Sequence, residues 1–492
     1  MPGCHKNLLL LGFCALLLGC ASTPANLQLP TRIQSGLNAV VSDCEMLFAS
    51  LDVEVERQQV ADVQSQRVPG YRYLRVNRFL EAVAPAATSK AAFDVWVRQL
   101  RELDRQARAA ELANLDVKQP RPETAARLDD CAERLAQHDF GIAAGRTHLR
   151  AVARVDDAYD TSKRLLGFYA LTAIPMHYGV SRLVADTDSK FRQPLASRRI
   201  HGELVRLVPP EDTVRWDTAA VAAALDASAD NALELPLPSD VVLEALFQTF
   251  APIWEVDVAT HADRLGAPGF HDGGLWVDVE HPVVYTLTSH TLFEGKALLQ
   301  LNYIVWFPER TSRGGFDLLA GKLDGITWRV TLGSDGRPLH YDAMHNCGCY
   351  YMAFPTEKLA RRPMDAREEP MSVPQLISST SERLVIRVAS HTHYLERVYG
   401  FDDGPELRLA RYELGSYDEL RSMADKHGRR SLFGSDGLVA GTQRGERWLF
   451  WPMGVADPGT MRQWGHHAIA FVGRRHFDQA DLIERYFRRQ SP

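Results

Sequence analysis

The chain has 492 residues, 45% of them hydrophobic and 24% charged, with a formal net charge of -6 at pH 7. That length exceeds what one small core can organise and predicts two or three domains, while the composition is that of an ordinary globular protein and excludes extensive disorder. The slight acidic balance lacks the concentrated basic excess that a phosphate backbone demands, so nucleic acid is excluded as a partner.

The chain opens with Lys6, an apolar run from Leu8 to Leu18, and Leu17-Leu18-Gly19-Cys20. About eleven apolar residues fit a signal-peptide core and fall short of the roughly 20 that a spanning helix needs. The ending resembles the lipobox of bacterial lipoproteins. That resemblance implies a signal peptide over 1–19, a lipid on Cys20 and hence the membrane as a partner. Ala21-Ser22 lacks the Asp that retains such proteins in the inner membrane, which implies an anchor at the periplasmic face of the outer membrane. Two or more acyl chains would hold the protein there stably. Residues 20–34, with Pro24 and Pro30, read as a tether.

Residues 35–235 read as a helical domain. Val41, Cys44, Leu47, Phe48 and Leu51 form one apolar stripe at helical spacing. Val68-Pro69-Gly70 signals a turn. Thr88-Ser89 can cap a second helix with Phe93, Trp96, Val97, Leu100 and Leu103 on one face, and a third follows Pro122 with Leu128, Cys131 and Leu135. Of seven cysteines, Cys4 and Cys14 leave with the signal and Cys20 carries lipid. Cys44 and Cys131 both face a core, as a disulfide favoured by an oxidising periplasm or as two buried thiols. Leu165 to Val180 is the most apolar mature stretch. Pro175 should break a helix there, and burial is expected over a dip into the membrane interface. Leu233-Glu234-Leu235-Pro236-Leu237-Pro238 reads as the linker.

Residues 239–492 read as a β-rich domain, making the fold class α+β with a mainly antiparallel second half. Ser239 can cap a helix to about Phe250, and Ile253 to Val258 reads as a strand. Val283 to Phe293 and Ala297 to Phe307 flank the short loop Glu294-Gly295-Lys296, a hairpin signal. Ile326 to Leu332 and Leu339 to Ala353 flank another. Leu384 to Val398 and Glu406 to Leu414 should extend the sheet, a pairing is expected around Trp448 to Trp451 and His467 to Val472, and a helix from about Asp478 to Arg489 should close the chain. Seven of the nine tryptophans lie in this half, where they would form the sheet's core or line a ligand groove.

The chemistry-bearing residues gather in two of these strands. Alternation along Leu339 to Ala353 would put His345, Cys347 and Cys349 on one face, and alternation along Leu384 to Val398 would do the same for His391 and His393. Those five are the candidate ligands for zinc, with His290 and one of His466 or His467 in reserve. The same residues also allow a redox pair or a thiol nucleophile activated by His345, or inert buried thiols beside hydrogen-bonded histidines. No zinc-protease, serine-hydrolase, NTPase or dinucleotide motif occurs. No catalytic residue is assigned. Two functions are expected: metal-assisted hydrolysis of an envelope component, or non-catalytic binding of an envelope or cell-wall component through an aromatic-rich β surface.

Overall fold

A computed structural model describes residues 39–490 except 117–120, 211–214, 313, 316, 382 and 402–406. The signal peptide, Cys20 and the tether lie outside the described residues. The architecture is α+β, with helices first and mainly antiparallel sheets after.

The first core is built by α1 (Ala39–Gln58), the hairpin β1 (Gln66–Val68) and β2 (Tyr71–Val76), α2 (Arg78–Val83), α3 (Lys90–Asn114), α4 (Arg121–Phe140) and α5 (Ala143–Val152). Ser89 accepts from the Ala92 N–H and starts α3 as expected, whereas Ser239, at the start of the later helix Asp240–Phe250, makes no side-chain cap bond. The α3 stripe buries Phe93, Trp96 and Leu100 against Phe48 of α1 and Leu135 of α4. Cys44 and Cys131 are joined as a disulfide that ties α1 to α4. Inside this layer runs an ion network that apolar periodicity does not reveal. Arg75 of β2 meets Asp104 and Glu111 of α3 at 3.2 and 2.7 Å, and Arg108 meets Asp52 at 2.7 Å. Asp104, Arg108 and Glu111 share one helix face because they recur at four and three residues.

The helical core ends near Ala153. The next two helices, α6 (Thr161–Leu166) and α7 (Tyr169–Arg192), lie on the β-rich part: Arg164 donates to the Met453 and Gly473 carbonyls, and the His177 ring meets the Glu368 carbonyl. Then come β3 (Glu203–Val208), α8 (Thr218–Ser228), α9 (Asp240–Phe250) and β4 (Ile253–Val258). Because β3 pairs with β4, residues read from sequence as the end of the helical domain contribute a strand to the sheet.

A small hairpin, β5 (Ala267–His271) and β6 (Gly274–Asp278), leads into the long strands β7 (Val283–Phe293), β8 (Lys296–Arg310) and β9 (Gly321–Leu332), then β10 (Pro338–His345) and β11 (Met352–Pro355). The turn between β7 and β8 places Glu294 and Gly295 at φ 51 and 74°, the left-handed pair that matches strand twist in a tight hairpin. After β12 (Leu359–Arg361) follow β13 (Leu384–Val388), β14 (Leu395–Gly400), β15 (Arg408–Arg411) and β16 (Glu413–Ser416). The six-stranded sheet runs β11-β10-β9-β8-β7-β16 and the five-stranded sheet β14-β13-β4-β3-β15. Trp254, Tyr303, Trp328 and Tyr341 fill the core between them. The opposite face of the six-stranded sheet, with Ile304, Trp306 and Met344, is covered by the C-terminal chain. Burial on both faces explains why β8 reads as a long, nearly continuous apolar run.

Four sequence expectations change here. Leu339 to Ala353 is a hairpin, β10 to β11, with Ala343 opposite Met352. The His345 N–H donates to the Cys349 carbonyl and Gly348 turns at φ 92°, so the strand stops at His345. Leu384 to Val398 is likewise a hairpin, and its turn holds His391 and His393 at φ 61 and 52°. Period-2 alternation holds only where the backbone stays extended. At the C-terminus, the small hairpin β17 (Met423–Asp425) and β18 (Gly428–Arg430) precedes α10 (Arg447–Phe450), where a strand was expected. The closing helix is only α11 (Leu482–Tyr486), after which β19 (Phe487–Arg489) pairs with β12.

His340 of β10 yields a pH prediction. It is wholly buried, neither ring nitrogen finds a hydrogen-bond partner among the described residues, and burial pushes its pKa down to about 4. The folded pKa is depressed, so burial adds no protonation cost above the unfolded value of about 6.5, and stability is lost as pH falls from there to the folded value near 4. The loss amounts to about 3 kcal/mol. His340→Phe, close in size and facing Phe487, should therefore show a smaller fall in melting temperature between pH 7 and pH 4.5 than the parent. An equal fall in both would mean that His340 is not a source of the acid sensitivity.

Candidate functional site: an apolar cavity with a thiol wall

A cavity of about 580 Å³ opens beneath α7. Met176, Gly179, Val180 and Leu183 form its roof, the β10–β11 turn with Cys347, Gly348 and Cys349 one wall, and Glu446, Phe450, Met453 and Ile469 much of the rest. This is the size and lining of a pocket for a small apolar ligand. The turn is pinned: a Cβ on Gly348 would lie 2.6 Å from the Ala468 carbonyl. Only glycine combines that approach with the positive φ.

Both thiols are free. The Cys349 N–H donates to Cys347 Sγ at 3.4 Å. Hydrogen bonding from the Cys349 thiol, helped by the Arg444 guanidinium, overcomes burial and holds the Cys347 thiol below its ordinary value. The same hydrogen bond, with burial, pushes Cys349 well up. Burial also raises the carboxyl of Glu446.

The expected ligands go to three places. His345 and His393 meet at Asp324, a wholly buried carboxylate. The His345 Nδ1 lies 3.3 Å from one oxygen and the His393 Nδ1 2.9 Å from the other, with Arg444 at 3.2 Å. Arg444 and the two imidazoles outweigh the cost of burial and hold Asp324 well below the carboxylate range. Burial opposes a charged His393, but its hydrogen bonds to Asp263 and Asp324 prevail and raise it. Cys347 and Cys349 face the cavity instead, and no hydrogen bond joins either thiol to the His345 ring among the described residues. His391 is elsewhere, bonded through Nδ1 to Thr311 Oγ1 at 2.7 Å, with its ring 6.4 Å from that of His201. Among the described residues no group of three or more His, Cys, Asp or Glu side chains could hold a metal ion. Among the described residues the five are thus divided between these three sets of contacts. His290 bonds to the Pro236 carbonyl, His466 to that of Val63 and His467 to that of Asn346.

Asp324, Asp263, Arg444 and Glu446 were not found by sequence reasoning. Asp324 sits in Gly321-Lys322-Leu323-Asp324-Gly325, which looks like an ordinary polar turn, and a single Glu in a loop carries no periodicity to betray its burial.

Above the cavity the surface is apolar. Leu165, Leu166, Phe168, Leu171, Ile174 and Tyr178 of α6 and α7 are exposed, Phe168 by 72%. The expected burial of this stretch is thus corrected, and α7 continues through Pro175. Phe191 is its one fully buried residue. α6 and α7 pack on the turn Trp451–Met453, which adds Trp448 (74% exposed), Leu449 and Trp451 to the exposed apolar side chains. Trp254, Trp306, Trp328 and Trp464 are buried core residues, as a sheet interior requires. No described helix is long and apolar enough to cross a membrane.

No family model matches this chain, and comparison with curated proteins and with solved structures gave no match.

Proposed function

We propose that this chain is a lipid-anchored envelope protein that lies on the membrane surface through α6, α7 and α10 and takes an acyl chain into the cavity beneath α7. The observation that carries the reading is the apolar cavity opening under a helix whose outer side is itself apolar and exposed. Exposed apolar surface of this kind marks an interaction site. Its chemistry suits a bilayer interface: Trp448 and Trp451 are amphipathic, and Arg447 and Arg182 lie over the Trp448 and Tyr178 rings at 4.8 and 6.0 Å, as in interfacial helices with cations beside aromatic anchors. The lipid on Cys20 and the outer-membrane address belong to the same reading, which makes the membrane the standing partner. The zinc reading has no shared ligand set behind it among the described residues.

Two experiments test this. The chain from residue 21 onward should bind vesicles of phosphatidylethanolamine and phosphatidylglycerol. Changing Phe168, Leu171 and Ile174 together to Ser should weaken that binding more than tenfold with little change in melting temperature, because each buries roughly 1.5–3 kcal/mol of side chain only in the bound state. For the cavity, Gly179 offers a plug, since a Cβ there meets nothing within 4 Å. Gly179→Trp should abolish uptake of a fluorescent fatty acid while the protein stays folded. Unchanged uptake would remove the cavity from the reading, and unchanged vesicle binding by the triple variant would remove the docking surface.

A further inference from the structure

Three groups on the cavity wall are not needed for holding an acyl chain. Cys347 and Cys349 are unbridged in a turn that gives Cys347 Sγ a backbone N–H at 3.4 Å. Glu446 lines the same cavity, is only 4% exposed, and its carboxyl makes no hydrogen bond or ion pair among the described residues. A buried polar group without a partner is costly, and a carboxyl placed so against a cavity points to a ligand or a proton it handles. Behind the thiols lies Arg462, also buried. Its N–H groups go to the carbonyls of Thr460, His466, Ala456 and Asp457, and it forms no ion pair among the described residues. Both thiols are near enough to act on its charge. A thiolate is the anion that this unpaired guanidinium would stabilise.

We propose that Cys347 is the nucleophile that accepts the acyl group of an ester-linked lipid held in the cavity, with Glu446 as its proton carrier. The proposal rests on the acyl-chain reading of the cavity. The Cys347 thiol proton passes to the Glu446 carboxylate. The sulfur attacks the ester carbonyl carbon, a C–S bond forms, and the ester C–O bond breaks. The departing alkoxide takes the proton back from Glu446 and leaves as the alcohol. Water then hydrolyses the thioester to the carboxylic acid and regenerates the thiol. No oxidant or reductant is consumed. Burial makes Glu446 a better proton acceptor than an exposed glutamate, and the donors around Cys347 Sγ favour that sulfur over Cys349.

The test uses the full chain reconstituted in vesicles with a phosphine reductant, so that the pair enters as thiols, and p-nitrophenyl hexadecanoate as the probe. Peptide mass spectrometry should find a hydroxylamine-labile hexadecanoyl group on Cys347, absent in Cys347→Ser and in Cys347→Ala. Glu446→Gln should slow nitrophenol release at least tenfold and flatten its pH profile. Gly179→Trp should slow reaction with the hexadecanoate but not with p-nitrophenyl acetate. Fluorescent fatty-acid uptake is measured on the same preparation. Uptake without any acyl-cysteine overturns the nucleophile and leaves the binding reading intact, whereas no uptake overturns the binding reading itself. Acylation of Cys349 with Cys347 untouched would also overturn the assignment.

Discussion

Asp324→Asn should cost the protein about 3–5 kcal/mol, the largest effect expected of any single substitution here. The carboxylate is wholly buried between His345, His393 and Arg444, and removing one partner of a buried charged cluster strands the others. Arg444 would keep its bonds to the Leu319 and Leu323 carbonyls but lose its counter-charge. The pH dependence identifies the mechanism. The pKa of His393 is raised by Asp263 and Asp324, so its contribution is fully present below the unfolded histidine value near 6.5 and is lost as pH rises through the folded value. Asp324 is depressed, so its own contribution is present above the unfolded carboxylate value near 4 and is lost as pH falls through the folded one. Urea unfolding of parent and variant should therefore differ more at pH 6 than at pH 8. A difference below about 1 kcal/mol at both, or one that does not change with pH, would mean that the cluster is not the electrostatic unit described.

The second large effect is expected at the disulfide. Cys44 and Cys131 are separated by 87 residues, and closing a loop of that length removes roughly 4–5 kcal/mol of unfolded-chain entropy in the simplest treatment, with 2–4 kcal/mol typical of measured cases. Cys44→Ser with Cys131→Ser should lower the melting temperature of the helical part and abolish the mobility difference between reduced and non-reduced samples on a denaturing gel. The core around the pair remains apolar, with Phe48, Leu128 and Leu135 all buried, so the variant should fold below its lowered transition. Unchanged melting and mobility would show that the bridge does not form.

The elements that were legible share one property, that a short window of sequence contains its own evidence. The start of α3 after Ser89, the β7–β8 hairpin with Glu294-Gly295 between its strands, and β4 at Ile253–Val258 were all read within a few residues. The first and third helical stripes also put Cys44 and Cys131 into one core. Where the local signal was ambiguous, reading failed in a consistent way. The turns at His345–Cys349 and Ala389–Tyr394 were missed because strand-like residues flank each on both sides, and Asn346, Gly348 and Ser390 are too few turn residues to outweigh them.

The sequence by itself determined the class of the fold, the three long helices of the first core, the β7–β8 hairpin, the apolar character of Leu165 to Val180, and which residues have chemistry to offer. These follow from periodicity, caps and turn residues, which act over a few residues of chain. Only the tertiary structure decided where that chemistry goes. It brought Asp324 between His345 and His393, turned the thiols towards a cavity that Glu446 also lines, and left the apolar side chains of Leu165 to Tyr178 exposed. Those outcomes depend on contacts between segments tens to hundreds of residues apart, and on how much surface the sheets have left to cover a helix. Neither quantity is encoded in any local pattern.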